Sequence, residues 1–102
     1  MKIYIVGSVA SGKSTLARKI SHITGAPCYH LDEAVYTVDP SEPWGNKKRP
    51  LEERDRLFQA MLAQRHYIME DAGRDCFRAG MEQADTVLLL EIPRIVREKR
   101  IL

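Results

Sequence analysis

Cysteine is scarce in this chain. Cys28 and Cys76 are far apart and match no metal-ligand spacing, which excludes a disulfide framework and reads as two reduced, buried thiols. The three histidines, His22, His30 and His66, share no metal spacing either and are assigned no role. Charge of one sign is also short. A net +2 is too mild to call for a nucleic-acid partner by itself, because such binders concentrate a larger excess on one face. Long apolar runs are missing: Ile3 to Val6 is far too short for a signal peptide, and Val87 to Leu90 cannot span a bilayer. No membrane partner and a cytoplasmic location are therefore expected. There is no repeat and no low-complexity segment. What remains is a chain of 102 residues, 44% hydrophobic and 29% charged, enough for one domain with a modest core.

The stretch that organises it is GSVASGKS, Gly7 to Ser14, directly after the apolar run Ile3, Tyr4, Ile5, Val6. It fits G-x-x-x-x-G-K-[ST], the phosphate-binding P-loop. Gly7, Ser8, Val9, Ala10, Ser11 and Gly12 would turn the backbone so that successive amides face phosphate oxygens. Lys13 would place an ammonium on the β and γ phosphates, Ser14 would offer a hydroxyl to Mg²⁺, and Thr15 supplies a second hydroxyl. A helix must follow at once, since its free first-turn amides and positive dipole end hold the anion. Leu16, Ala17, Ile20 and Ile23 recur at helical spacing, and Gly25 sits where a left-handed stop is expected.

Further along, Ala26 to Leu31 reads as a second strand ending in Asp32 and Glu33. Thr37 to Pro50, rich in Pro and Gly, with Trp44 in the middle and the basic run Lys47, Lys48, Arg49, reads as a loop. A helix follows, with Pro50 near its first turn, early acids Glu52, Glu53 and Asp55, the apolar set Leu57, Phe58, Met61 and Leu62, and Arg65 at its end. His66 to Glu70 is a third strand running into Asp71, Gly73 and Arg74. Ala79 to Gln83 is a short helical connection. Thr86 to Ile92 is the fourth and most hydrophobic strand, of the kind buried on both faces of a parallel sheet, and a last helix begins through Arg94, Val96, Arg97 and Arg100.

Alternating strands and helices imply an α/β fold with a parallel sheet, ligands binding beyond the carboxyl ends of the strands. The P-loop, Asp32 and Asp71 all fall at such ends, and phosphoryl transfer needs little more than a phosphate cradle, Mg²⁺ and positioning groups. Asp71 is the candidate Mg²⁺-side carboxylate with Glu70 as its competitor; the plain alternative for Asp71 is an acid closing a turn with Gly73. Asp32 would orient or deprotonate an acceptor hydroxyl, or else cap a helix. Arg74 would clamp a substrate anion, and Trp44 would stack on substrate or anchor its loop to the core. Arg94, Arg97 and Arg100 would neutralise the transferred phosphate or form a solvated helix face.

GSVASGKS after MKIYIV, then YHLDE, a Pro/Trp loop leading to a helix, YIMEDAGR and ADTVLLLEIPR together resemble the topology modulation proteins, small P-loop proteins similar to adenylate kinase. The resemblance covers essentially the whole chain. It implies a three-layer P-loop NTPase fold, ATP as cofactor, kinase-type transfer to a small-molecule acceptor, and a proposed link to DNA topology. It also implies the strand order 2-3-1-4-5, counted along the chain. Relatives of the adenylate kinase type continue through a lid, a fifth strand and a last helix, so this sequence looks like their amino-terminal part and is expected to show 2-3-1-4. The fourth strand would then be an edge without charge or proline, a surface for self-association.

Two other classes compete. A GTPase-like switch is disfavoured because Asn46-Lys47 is followed by Lys48 and Arg49 and lacks the Asp of N-K-x-D. A non-catalytic nucleotide-binding or DNA-associated regulator would carry a salt-sensitive DNA affinity on Lys47, Lys48 and Arg49.

Overall fold

The computed structural model describes residues 1–8 and 11–90. Strand β1 (Lys2–Gly7) lies at the centre of a four-stranded sheet, paired in parallel with β5 (Tyr67–Asp71) on one side and β6 (Thr86–Leu90) on the other. Strand β2 (Cys28–His30) pairs in parallel with β5, so the order is β2-β5-β1-β6. Counted among the four strands of this sheet, that is 2-3-1-4.

The period of two along each strand sorts the core into two faces. Ile5 and Ile68 point to one face and meet Ala17 of α1 (Lys13–Thr24) together with Ala26; Leu16 and Ile20 pack against this cluster. Tyr4, Tyr67 and Met69 point to the other face, where they join Leu31, Phe77 and residues of α2 (Asp32–Val35) and α3 (Leu51–Leu62). Phe58 of α3 packs on Phe77 with ring centroids 4.9 Å apart and tilted by 50°, which fastens the helix to this face. Tyr67 donates its hydroxyl to the Gly80 carbonyl at 2.7 Å, tying α4 (Arg78–Glu82) to the sheet through a buried bond. The short 3-10 turn Asp75–Phe77 leads into α4.

Helix α1 ends as its sequence indicates: Gly25 is left-handed and donates its amide to the Ser21 carbonyl at 2.8 Å. Ile23 departs from the expected apolar face, being 81% exposed; Leu16, Ala17 and Ile20 alone face the sheet. Pro50 stands at the N-terminal boundary of α3, and Arg65 lies beyond that helix. The strand bounds shift slightly, to Cys28–His30 and Tyr67–Asp71.

Thr37 to Pro50 is not simply a loop. Strands β3 (Tyr36–Val38) and β4 (Asn46–Lys48) form an antiparallel ribbon, registered Tyr36 to Lys48 and Val38 to Asn46. Asp39 shapes its tip by accepting from the Ser41 amide and hydroxyl at 3.0 and 2.6 Å. At its base the Arg49 amide donates to the Val35 carbonyl at 2.7 Å.

Strand β6 also differs from expectation. Instead of burial on both faces, Leu88 and Leu90 pack on the α1 side, whereas Val87 and Leu89 on the opposite face are 46% and 68% exposed and join neither core cluster of the described residues. Ile92 and the arginine-bearing segment that follows lie outside the described residues. No helix among the described residues is long and apolar enough to cross a membrane.

Candidate functional site

The glycine-rich loop leaves the carboxyl end of the central strand and enters α1 at Lys13. Gly7 is packed too closely for a side chain: a Cβ there would run into Ser11 Oγ and lie 3.0 Å from the Leu90 carbonyl oxygen. Gly12 adopts φ +88°, a left-handed conformation that side chains rarely take, and it sets the first turn of α1. Ser11, Gly12, Lys13, Ser14 and Thr15 line a depression of about 210 Å³ at that helix end. Val9 and Ala10 lie outside the described residues.

Lys13 folds back over the loop. Its ammonium donates to the Ser8 carbonyl at 3.4 Å and stands 3.8 Å from Oε2 of Glu70. Glu70 is buried near the end of β5, where its Oε1 meets His30 Nδ1 at 2.9 Å across the β2–β5 pair. Its Oε2 and Ser11 Oγ are buried without a hydrogen-bond partner among the described residues. Beyond His30, Nε2 lies 3.8 Å from Cys28 Sγ, whose thiol pKa is pushed up by burial and by the nearby Glu70 charge.

The two competing acids of β5 thus differ in engagement. Asp71 has a fully buried side chain, and its Oδ2 accepts the Gly73 and Arg74 amides at 3.0 and 2.7 Å, the geometry of an acid closing a turn. Its Oδ1 accepts from Arg74 Nη1. The same nitrogen donates to Asp32 Oδ1 at 2.6 Å, so Arg74 bridges the ends of β5 and β2. Burial works against the Arg74 charge, but hydrogen bonds and charge from Asp32 and Asp71 outweigh it and raise its pKa. Near this group the Tyr4 hydroxyl is buried and has no partner among the described residues; desolvation first, and the Asp71 charge second, push its pKa far above the ordinary value.

Asp32 is the first residue of α2 rather than its cap, which is Leu31, and no side-chain cap bond forms there. It borders a groove of about 400 Å³ shared with the β3–β4 ribbon. Trp44, 89% exposed at the ribbon tip, is neither anchored to the core nor part of that groove. Lys47 and Lys48 are exposed on β4, whereas Arg49 turns to Glu53 at 2.6 Å and to the Glu33 carbonyl at 3.1 Å. Arg94, Arg97 and Arg100 lie outside the described residues. The Glu70–His30 pair went unassigned in the sequence; the signal was there in two polar residues ending adjacent strands, but only the register Glu70 to His30 brings them together.

Among the described residues no group of three His, Cys, Asp or Glu side chains gathers in a metal-holding arrangement. No protein-family model matches the chain, and comparison with curated proteins gives no match.

Proposed function

We propose that this chain is an ATP-binding P-loop protein of the adenylate-kinase-like type, which transfers the ATP γ-phosphoryl to a small-molecule hydroxyl or phosphate acceptor. The observation that carries the reading is positional: Gly7 ends the central strand, Lys13 opens α1, and the Lys13 ammonium stands 3.8 Å from the buried Glu70 carboxylate. Phosphate oxygens would replace the Ser8 carbonyl and Glu70 as partners of the Lys13 ammonium, and the first-turn amides of α1 would hold the same anion.

A Mg²⁺ fits this setting. Such ions take one or two protein oxygens and complete their octahedron with phosphates and water, so a three-ligand protein cluster is not required. Ser14 would supply one oxygen. Glu70, with a buried oxygen that has no hydrogen bond among the described residues, is the better carboxylate for the ion's water shell than Asp71, whose oxygens hold a turn and Arg74. When bound, the ion neutralises charge on the β and γ phosphates. Asp32, exposed at the end of the neighbouring strand β2, would accept the proton of an acceptor hydroxyl.

An ATP-consumption screen over nucleosides, nucleotides and small metabolites tests the reading. Asp32→Asn should retain Mg-ATP binding and lose transfer, since only the reacting hydroxyl loses its partner. Undiminished turnover in that variant removes Asp32 from the mechanism, and failure of the wild type to bind ATP removes the reading as a whole.

A further inference from the structure

Among the described residues, the groove where an acceptor would enter is lined by carboxylate and not by cation. The groove beside α2 is lined by Asp32, Glu33, Tyr36, Thr37, Val38 and Asn46, and none of these is basic. The Arg74 guanidinium next to it is already held by two carboxylates, Asp32 at 2.6 Å and the fully buried Asp71. Two carboxylates against one guanidinium leave this group with a formal charge of minus one, and Glu33 adds a second negative charge. Lys47 and Lys48 do not line the groove but stand across the ribbon from its residues Thr37 and Tyr36, while Arg49 pairs with Glu53 and donates Nε to the Glu33 carbonyl at 3.1 Å, so the negative field is that of the groove's own lining.

A phosphate monoester would bring about −1.5 to −2 charges into that field. To reach Arg74 it would have to sit beside the Asp32 and Asp71 carboxylates held on Nη1, like charges side by side, an arrangement that rejects partners. A neutral polyol or an amino alcohol meets no such barrier. Its hydroxyls find acceptors on Asp32 and Glu33 and mixed donor-acceptor groups on Tyr36, Thr37 and Asn46, and an ammonium would find two carboxylates.

We propose that the groove beside Asp32 selects a hydroxyl acceptor without an anionic group, of the polyol or amino-alcohol class. The inference rests on the kinase reading above and narrows its acceptor from hydroxyl or phosphate to hydroxyl alone. Strand β2 is two positions from β1 in the sheet, so Asp32 lies roughly 10 Å across from the phosphate loop at the usual strand spacing, room for one small acceptor. In the transfer, the acceptor oxygen bonds to the γ-phosphorus while the bond from that phosphorus to the β–γ bridging oxygen breaks. ADP departs, and the hydroxyl proton passes to Asp32 and then to water.

The test is an amide-resolved NMR titration of the ¹⁵N-labelled protein with Mg²⁺ and a non-hydrolysable ATP analogue. Two matched probe pairs are added in turn: ribose with ribose 5-phosphate, and ethanolamine with phosphoethanolamine. An unphosphorylated member should shift the Thr37 and Asn46 amides, with its phosphate ester at least about tenfold weaker there, and the variant Asp32→Asn/Glu33→Gln should strengthen the ester at the groove by about tenfold or more. An ester that binds the groove as tightly as its parent in wild type, an ester affinity unchanged in the variant, or no response at Thr37 and Asn46 to any probe overturns the proposal. The kinase reading is scored separately, by whether the ATP analogue shifts Gly12 to Thr15.

Discussion

Oε2 of Glu70 is buried 3.8 Å from the Lys13 ammonium with no hydrogen bond among the described residues, while Oε1 of the same carboxylate meets His30 Nδ1 at 2.9 Å. The register of β2 on β5 and the start of α1 at the end of β1 bring these three residues together. Lys13 thus compensates a buried negative charge that the fold holds at the start of α1.

Removing that compensation should be felt in stability. Lys13→Met leaves the Glu70 oxygen without its cation and is expected to cost about 1–3 kcal/mol in urea unfolding. Lys13→Met/Glu70→Gln should recover part of the loss, because the charge needing a partner has gone. A double variant as unstable as the sum of the two single variants would show that the pair is uncoupled.

The buried Tyr4 hydroxyl has no hydrogen-bond partner among the described residues. Tyr4→Phe should leave the fold intact and raise its stability by about 1 kcal/mol in the same unfolding measurement. The Tyr4 pKa is raised in the fold above the ordinary value of 10.0. The folded protein therefore holds this proton when the unfolded chain releases it, so the contribution is complete below pH 10 and declines as pH rises beyond it. The Phe variant should lose less stability than wild type on that alkaline limb; parallel curves would contradict the assignment.

Of the two thiols, Cys76 is exposed and Cys28 half-buried with a raised pKa. Iodoacetamide at neutral pH should label Cys76 first, with Cys28 slower by an order of magnitude or so, since the thiolate is the reacting form. Equal rates by peptide mass mapping would show that Cys28 is more accessible and more ionised than its surroundings indicate.

Among the described strands β6 is an edge, and it bears the exposed Val87 and Leu89. Such an edge pairs readily with another strand when charge or proline does not protect it. Sedimentation should reveal concentration-dependent association of this chain, reduced by Leu89→Lys; a wild-type monomer across the concentration range would remove the edge as an association surface.

The sheet and the loop were legible because each rests on a local rule. Tyr4 and Ile5, or Ile68 and Met69, are sorted to opposite faces by strand period, and the glycines of the loop answer to backbone geometry alone. The β3–β4 ribbon was not legible: its strands are three residues long, Asn46, Lys47 and Lys48 are all exposed, and no apolar alternation betrays them. Ile23 misled because helical spacing marks a stripe without saying where the sheet ends beneath it. The bridge from Asp32 through Arg74 to Asp71 joins chain-distant residues, and only the adjacency of β2 and β5 brings them together.

Titration calorimetry of Mg-ATP into wild type and Lys13→Ala tests the central claim most directly, with circular dichroism confirming that both are folded. If Gly7 to Ser14 cradles phosphates, wild type binds and the variant loses at least about tenfold in affinity, a difference of 1.4 kcal/mol. Equal affinity in two folded proteins, or no heat in either, would contradict it.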